Sequence, residues 1–291
     1  MPSYHLSLAK IDVMRKLFFA FALTAIIACA TQAQQLRTPA PSPLQNIKQD
    51  FALSSVELSY SRPAVKERKI FGDLVPFGKV WRTGANQATV ITFGEEVTIG
   101  GTKVPAGKYG LLTMPGENEW TVILTKQLDV TSPGAYKQDQ DVVRLKVEPQ
   151  TLPFPIESFM MQFDNVKPSS MDLIILWDRT AVTVPIKADV ESKVMTQIDN
   201  MMDKDNRPYF GAAMYYVENG KDLNKAVSWF DKAIEQNPNA FWVYHQKANA
   251  LAKQGKKKEA ITTAQKSMEL AKQAKNDDYV ALNEKLIATL K

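Results

Sequence analysis

The chain has 291 residues, a formal net charge of +5, one cysteine and two histidines. A length of this order holds one large domain or two modest ones. The near balance of charge offers no basic face for nucleic acid. A single cysteine rules out an internal disulfide. So few histidines weigh against Ser-His-Asp, Cys-His and His-ligated zinc chemistry.

Residues 1–13 show no clear pattern. Met14-Arg15-Lys16 is then a short positive region, and 17–30 an apolar run containing Phe18, Phe19, Phe21, Leu23, Ile26 and Ile27. Thr31-Gln32-Ala33 follows, with small residues where a signal peptidase reads. This order is that of a cleavable secretory leader over 1–33, with Met14 a candidate true start. The run is shorter than the roughly 20 residues a stable membrane anchor needs. Ile26-Ile27-Ala28-Cys29 loosely matches a lipoprotein box, which would make Cys29 a lipidated first residue and hold the protein at a membrane. Ile at both upstream positions makes a poor box, so cleavage after Ala33 is the favoured reading. The expected location is extracytoplasmic, periplasmic or secreted. Loss of the leader leaves 258 residues, a net charge of +3 and His245 as the sole histidine.

Residues 34–50, with Pro39, Pro41 and Pro43, read as an extended tether. From 51 to 188 the texture is that of strands. Residues 55–61 alternate Val56, Leu58 and Tyr60 against polar partners, and 89–93 and 97–99 are short β-rich runs. Gly100-Gly101 marks a hairpin, and Pro115-Gly116-Glu117-Asn118 a turn between runs at 109–114 and 120–124. Runs at 142–147, 159–166, 171–177 and 181–186 continue the pattern. Many short strands without intervening helices predict an antiparallel, all-β sandwich.

From 189 to 291 the hydrophobic period changes to about 3.6. Amphipathic segments fall at 190–202, 208–218, 223–236, 240–254, 257–275 and 278–290, with Gly220 and Gly255 at helix ends. Lys225-Ala226 and Glu259-Ala260 lie 34 residues apart, which is the tetratricopeptide period. Phe230, Ala233 and Pro238 take that repeat's aromatic, small and proline positions, with Tyr216 and Trp242 in its first helices. The second copy departs, carrying Ala264, Ser267 and Lys272. The expectation is an α-helical, tetratricopeptide-like domain of about two repeats and a capping helix, offering a surface to a protein partner.

The densest unusual stretch runs from Ser61-Arg62-Pro63 through Arg68-Lys69-Ile70-Phe71-Gly72 and Leu74-Val75-Pro76-Phe77-Gly78. It continues as Lys79-Val80-Trp81-Arg82-Thr83-Gly84-Ala85-Asn86 and Val104-Pro105-Ala106-Gly107-Lys108-Tyr109-Gly110. On these strings, residues from about 51 to 186 resemble a secreted bacterial family known only as domain of unknown function 2911. The resemblance implies a β-rich domain behind a signal peptide, often with a helical tail. It brings no activity and no catalytic residues.

Chemistry must therefore come from the residues. Arg62, Trp81, Arg82, Thr83 and Asn86 gather two guanidinium forks, an indole, a hydroxyl and an amide around Gly84, which permits close backbone approach. They form the candidate binding site for an anionic or sugar ligand. The plainer reading pairs Arg82 with a buried carboxylate such as Asp178 or Glu57, with Asn86 capping a turn. Gly107-Lys108-Tyr109-Gly110 lacks the length and following helix of a phosphate loop and reads as a tight turn. Glu95-Glu96 and Asp139/Asp141 are carboxylate pairs, but sequence neighbours on a turn tip usually face solvent. Asp199, Asp203 and Asp205 lack the completion of a calcium loop, Lys256-Lys257-Lys258 reads as a solvated turn, and His245 as a packing or surface residue. No cofactor or metal is expected. The leading reading is a non-enzymatic binding module. The alternatives are an envelope glycan hydrolase working with carboxylates and arginine, and a structural envelope protein without ligand.

Overall fold

The computed structural model describes residues 38–202, 204 and 207–291. The leader, Cys29, Asp203 and Asp205 lie outside them. Ten strands form two antiparallel sheets, and six α-helices follow.

The larger sheet has the order β1-β2-β3-β6-β7-β8. Its strands are β1 (Leu44–Phe51), β2 (Ser54–Ser61), β3 (Thr89–Phe93), β6 (Gly107–Met114), β7 (Trp120–Thr125) and β8 (Asp141–Val147). The smaller sheet has the order β5-β4-β10-β9. It is built from β4 (Val97–Ile99), β5 (Thr102–Val104), β9 (Gln150–Asp164) and β10 (Ser170–Lys187). Each sheet turns one face inward. Val56, Leu58, Tyr60, Ile91 and Phe93 meet Phe159, Met161, Leu173 and Ile175 in one core, as alternation with one buried face requires. The Tyr60 hydroxyl fastens the sheets together, donating to the Met161 carbonyl at 3.0 Å and accepting from its N–H at 2.9 Å.

Three sequence expectations need correction. The tether ends early. Residues 44–51 are strand β1, paired along its whole length with β2 through a two-residue turn at Ala52-Leu53. The proline-rich polar stretch concealed it, because this edge strand alternates exposed and half-buried residues until Phe51. The runs at 171–177 and 181–186 are one strand. β10 carries a bulge around Asp178, whose φ is +49°. An extra residue flips the alternation, so Met171, Leu173, Ile175 and Trp177 face inward before the bulge and Val182, Val184 and Ile186 after it. Finally, β9 starts nine residues before the expected run and contains Pro153 and Pro155. It is an edge strand, where a missing N–H leaves no ladder bond unmade.

The helical half begins with α1 (Val190–Met202), three residues after β10 ends at Lys187. Its first residue packs on the sandwich core, and Ile198 belongs to the helical one. α2 (Tyr209–Glu218), α3 (Leu223–Gln236), α4 (Phe241–Lys253), α5 (Lys257–Gln273) and α6 (Asp277–Leu290) follow. The Asp222 carboxylate caps α3 by accepting from the N–H groups of Asn224 and Lys225. Ala226 and Phe230 are fully buried, and so are their 34-residue counterparts Ala260 and Ala264. Where the first repeat has Ala233 the second has Ser267, and the change is matched by a polar network. Ser267 Oγ donates to the Phe241 carbonyl at 2.7 Å and accepts from Asn283 Nδ2 at 2.9 Å. Asn283 Nδ2 also donates to the Tyr279 carbonyl at 2.6 Å. Both amide donors are thereby used, so Asn283 Oδ1 accepts from His245 Nδ1 at 2.8 Å and fixes the imidazole tautomer. His245 is a buried packing residue, as expected.

Phe230→Ala should destabilise the helical half by about 3–5 kcal/mol through cavity formation. Phe154→Ala, at a position 59% exposed, should stay within about 0.5 kcal/mol. Urea denaturation measures both, followed by circular dichroism at helical wavelengths for Phe230→Ala and by the fluorescence of the sandwich tryptophans Trp81, Trp120 and Trp177 for Phe154→Ala.

Candidate functional site

Between β2 and β3 the chain spends 27 residues outside both sheets. The first part of this segment covers the β9 edge. The Val65 N–H donates to the Glu157 carbonyl at 2.8 Å, and the Phe159 N–H to the Pro63 carbonyl at 2.8 Å. That satisfies an edge which would otherwise invite pairing with another chain. Buried Ile70 and Val75 then pin a tight loop, with the Val75 N–H donating to the Ile70 carbonyl at 2.9 Å. Finally Trp81 bridges to the end of β6, its N–H donating to the Thr113 carbonyl at 2.7 Å and its carbonyl accepting from the Thr113 N–H at 3.0 Å.

Immediately after Trp81 the backbone is strained. Thr83 has φ +54° and Asn86 φ +60°, and a β-branched residue in the left-handed region is a genuine outlier. The local bonds hold it there. Thr83 Oγ1 bonds to Thr113 Oγ1 at 3.1 Å, the Thr83 carbonyl accepts from Thr89 Oγ1 at 2.5 Å, and Asn86 Nδ2 donates to the Ser42 carbonyl and Ser61 Oγ, both at 3.2 Å. Gly84 is required: a Cβ there would sit 3.0 Å from the Ser61 carbonyl oxygen. The effect of this turn is to present Trp81 and Arg82 on one side.

They present to a cleft of about 440 Å³. The 68–85 segment and the loop at 131–133 supply most of its lining. Trp81 and Trp177 contribute stacked indoles, with centroids 5.6 Å apart. Leu74, Val75, Pro76 and Val80 supply apolar wall, and Arg68, Lys79 and Arg82 supply the charge. Among the described residues no aspartate or glutamate lines the cleft. Arg82 Nη1 donates to the Thr131 carbonyl, tying the 68–85 segment to the loop at 131–133. Its Nε is buried without an acceptor among the described residues, and so is the indole N–H of Trp177, a residue 2% exposed.

Of the five residues nominated from sequence, Trp81 and Arg82 line the cleft. Arg62, Thr83 and Asn86 do not. Arg62 donates from Nε to the Phe159 carbonyl at 3.0 Å, and Thr83 and Asn86 build the turn. Asn86 spends its amide on Ser42 and Ser61, far from it in sequence, and does not cap its own turn as the plainer reading had it. Arg82 departs from that reading too: it bonds with neither Asp178 nor Glu57, and Glu57 pairs with Lys48 at 3.0 Å. Gly107-Lys108-Tyr109-Gly110 opens strand β6 rather than forming the tight turn expected. The carboxylate pairs are dispersed. Glu95 accepts from the Leu53 N–H at 2.9 Å and pairs with Lys193. Glu96 pairs with Lys103 at 3.1 Å. Among the described residues no cluster of histidine, cysteine and carboxylate could hold a metal. Sequence reasoning missed Arg68, Lys79, Trp177 and the 131–133 loop. Arg68 and Lys79 stood inside the quoted motif strings; Trp177 and the loop join only through the fold.

Residues 42–186 match the family described as protein of unknown function, DUF2911. The sandwich is a DUF2911 domain. Tetratricopeptide repeats match at 207–240 and 229–262, covering α2 to the start of α5, so two such repeats follow it. No curated protein matches the chain.

The DUF2911 cleft depends on the loop between β7 and β8, and this loop is braced from within. Gly110 lets it approach, since a Cβ there would fall 2.2 Å from the Gln127 carbonyl oxygen. The Gln127 amide donates to the Ala135 carbonyl at 3.1 Å and accepts from the Lys137 N–H at 2.6 Å. Tyr136 donates its hydroxyl to Asp141 and accepts from Arg144 Nη1 at 2.6 Å. Burial, then the bond to the Asp141 carboxylate and its charge, push the Tyr136 phenol up to about 12, against an opposing pull from Arg144.

An unfolded tyrosine ionises near pH 10. Between pH 10 and about 12 the unfolded chain has therefore released a proton that folded Tyr136 retains. Its contribution to stability is complete below pH 10 and is lost as pH rises through that window. Stability measured against pH should fall there, and Tyr136→Phe should flatten part of the slope. Ultraviolet difference titration should show the variant missing a phenol that ionises near pH 12 in wild type.

Proposed function

We propose that the chain is an exported binding protein whose DUF2911 cleft receives a small ligand while its tetratricopeptide repeats hold a protein partner. The observation carrying this reading is the strained turn at Thr83. Holding a β-branched residue in the left-handed region costs on the order of 1–3 kcal/mol, and its local result is to set Trp81 and Arg82 at the cleft. The cleft's volume falls within the range of small-molecule sites. Wall residues from two connections of the larger sheet and from strand β10 of the smaller one converge on it, and the repeats add a scaffold of a kind used for protein interaction.

A thermal-shift screen of the full chain against small metabolites tests the cleft. A ligand at a hundred times its Kd should add about 2.7 kcal/mol of stability. Arg82→Lys should abolish the shift at nearly unchanged melting temperature, because Lys keeps the charge and loses the planar fork. A large fall in melting temperature without a separable binding defect would instead make Arg82 a structural brace.

Export is part of the same proposal. Intact mass of protein from its native host should correspond to a chain starting at Gln34. A chain starting at lipid-modified Cys29 would place the protein on a membrane, and retention of Met14 would overturn export by this route.

A further inference from the structure

We infer that the cleft selects an oxyanion, carboxylate or phosphate, carried on an apolar body, and does not select a neutral sugar. The inference rests on the binding reading above and names the ligand's chemistry. Two residues that line the cleft carry a buried donor, Arg82 Nε and the Trp177 indole N–H, that has no acceptor among the described residues. Buried polar groups in native proteins are nearly always partnered, so these donors ask for a ligand rich in acceptors. Three cations, Arg68, Lys79 and Arg82, line the same space, with no carboxylate among them. Arg68 already donates to the carbonyls of Val65 and Ala64, so its place is fixed before any ligand arrives. An unopposed positive charge in a partly desolvated cleft favours an anion, and a guanidinium favours the planar oxyanion.

The remaining wall decides the rest of the ligand. Stacked indoles and the aliphatic side chains of Leu74, Val75 and Val80 offer contact area without hydrogen bonds. A neutral sugar would stack on an indole, yet each of its hydroxyls also donates. The acidic acceptors that usually receive such donors are absent from the lining. Apolar wall together with cations and orphaned donors matches a molecule with a greasy body and an acid head.

Matched probes test this on the full chain by isothermal titration calorimetry and ligand-observed NMR. The set is 4-phenylbutyrate, its neutral amide, phenethyl phosphate, and the neutral disaccharide cellobiose. One or both acids should bind, with the amide about tenfold weaker or more. Comparing the two acids tells carboxylate from phosphate. Lys79→Gln changes an exposed side chain, so the fold should persist while acid affinity falls several-fold and the amide is unaffected. Arg82→Lys should act the same way and more strongly. Trp177→Phe should also weaken the acids, provided its melting temperature confirms folding. If the amide equals the acids, if cellobiose outbinds them, or if Lys79→Gln and Arg82→Lys are both silent, the ligand class is wrong while a binding cleft remains. If no probe binds folded protein, both the class and the binding reading fall.

Discussion

The packing of aromatic rings between the two sheets is the constraint on which the rest of the sandwich depends. Trp81 stacks on Trp177 and meets Phe159 edge-on at 5.2 Å, Phe71 lies 4.8 Å from Trp120, and Phe159 meets Tyr60 at 5.8 Å. These rings come from both sheets and from the irregular segment between β2 and β3. Each buries a large apolar area and prefers offset or edge-on neighbours, so moving one displaces the others. The bulge in β10 follows from the same demand. Without the extra residue near Asp178, the inward phase that buries Met171 to Trp177 could not give way to the phase that buries Val182 to Ile186. Trp81 is held at both ends, by its backbone bridge to Thr113 and by its indole N–H donating to the Gly84 carbonyl at 3.0 Å. The wall of the cleft is therefore also part of the core.

How much of this could be read from the sequence varies by region, for physical reasons. Strands with one buried face announced themselves by alternation, as β2 and β3 do. Where both faces are covered alternation gives way to continuous apolar runs, which the flanking turn residues still delimit: β6 and β7 bury Leu112 and Ile123 on the outer face, under Val80, Val130 and Tyr136. The apolar pattern is also weak in β1 and the first half of β9, where little is fully buried on either face. The helices were legible because their apolar stripes repeat every three to four residues and small residues mark the close crossings. For the cleft, chemical density pointed to Trp81 and Arg82. It could not separate them from Arg62, Thr83 and Asn86, because sequence nearness does not reveal which side chains a left-handed turn sends outward. Trp177 was invisible as a cleft residue, since it arrives from a strand about 95 residues away whose phase is set by a bulge.

The two halves meet through α1. Val190 seats on the sandwich, Lys193 pairs with Glu95 of the sandwich, and Glu191 pairs with Lys221 just before α3. These pairs are partly exposed and individually weak. They set orientation more than they add stability, and the apolar contacts at each end of α1 do most of the joining.

The network of His245, Ser267 and Asn283 bears on how far the helical array can be treated as modular. Repeat arrays are often regarded as stacks of interchangeable units joined by generic apolar faces. The α5 face is not generic. It carries a hydroxyl, and beside it α4 offers an imidazole N–H, both buried and both served by one amide on α6. A consensus helix grafted in place of α6 would leave the imidazole N–H without an acceptor, at a cost of about 1–3 kcal/mol. The junction thus works as a keyed fitting, and shuffling of repeats in this chain is confined to the α2–α3 side.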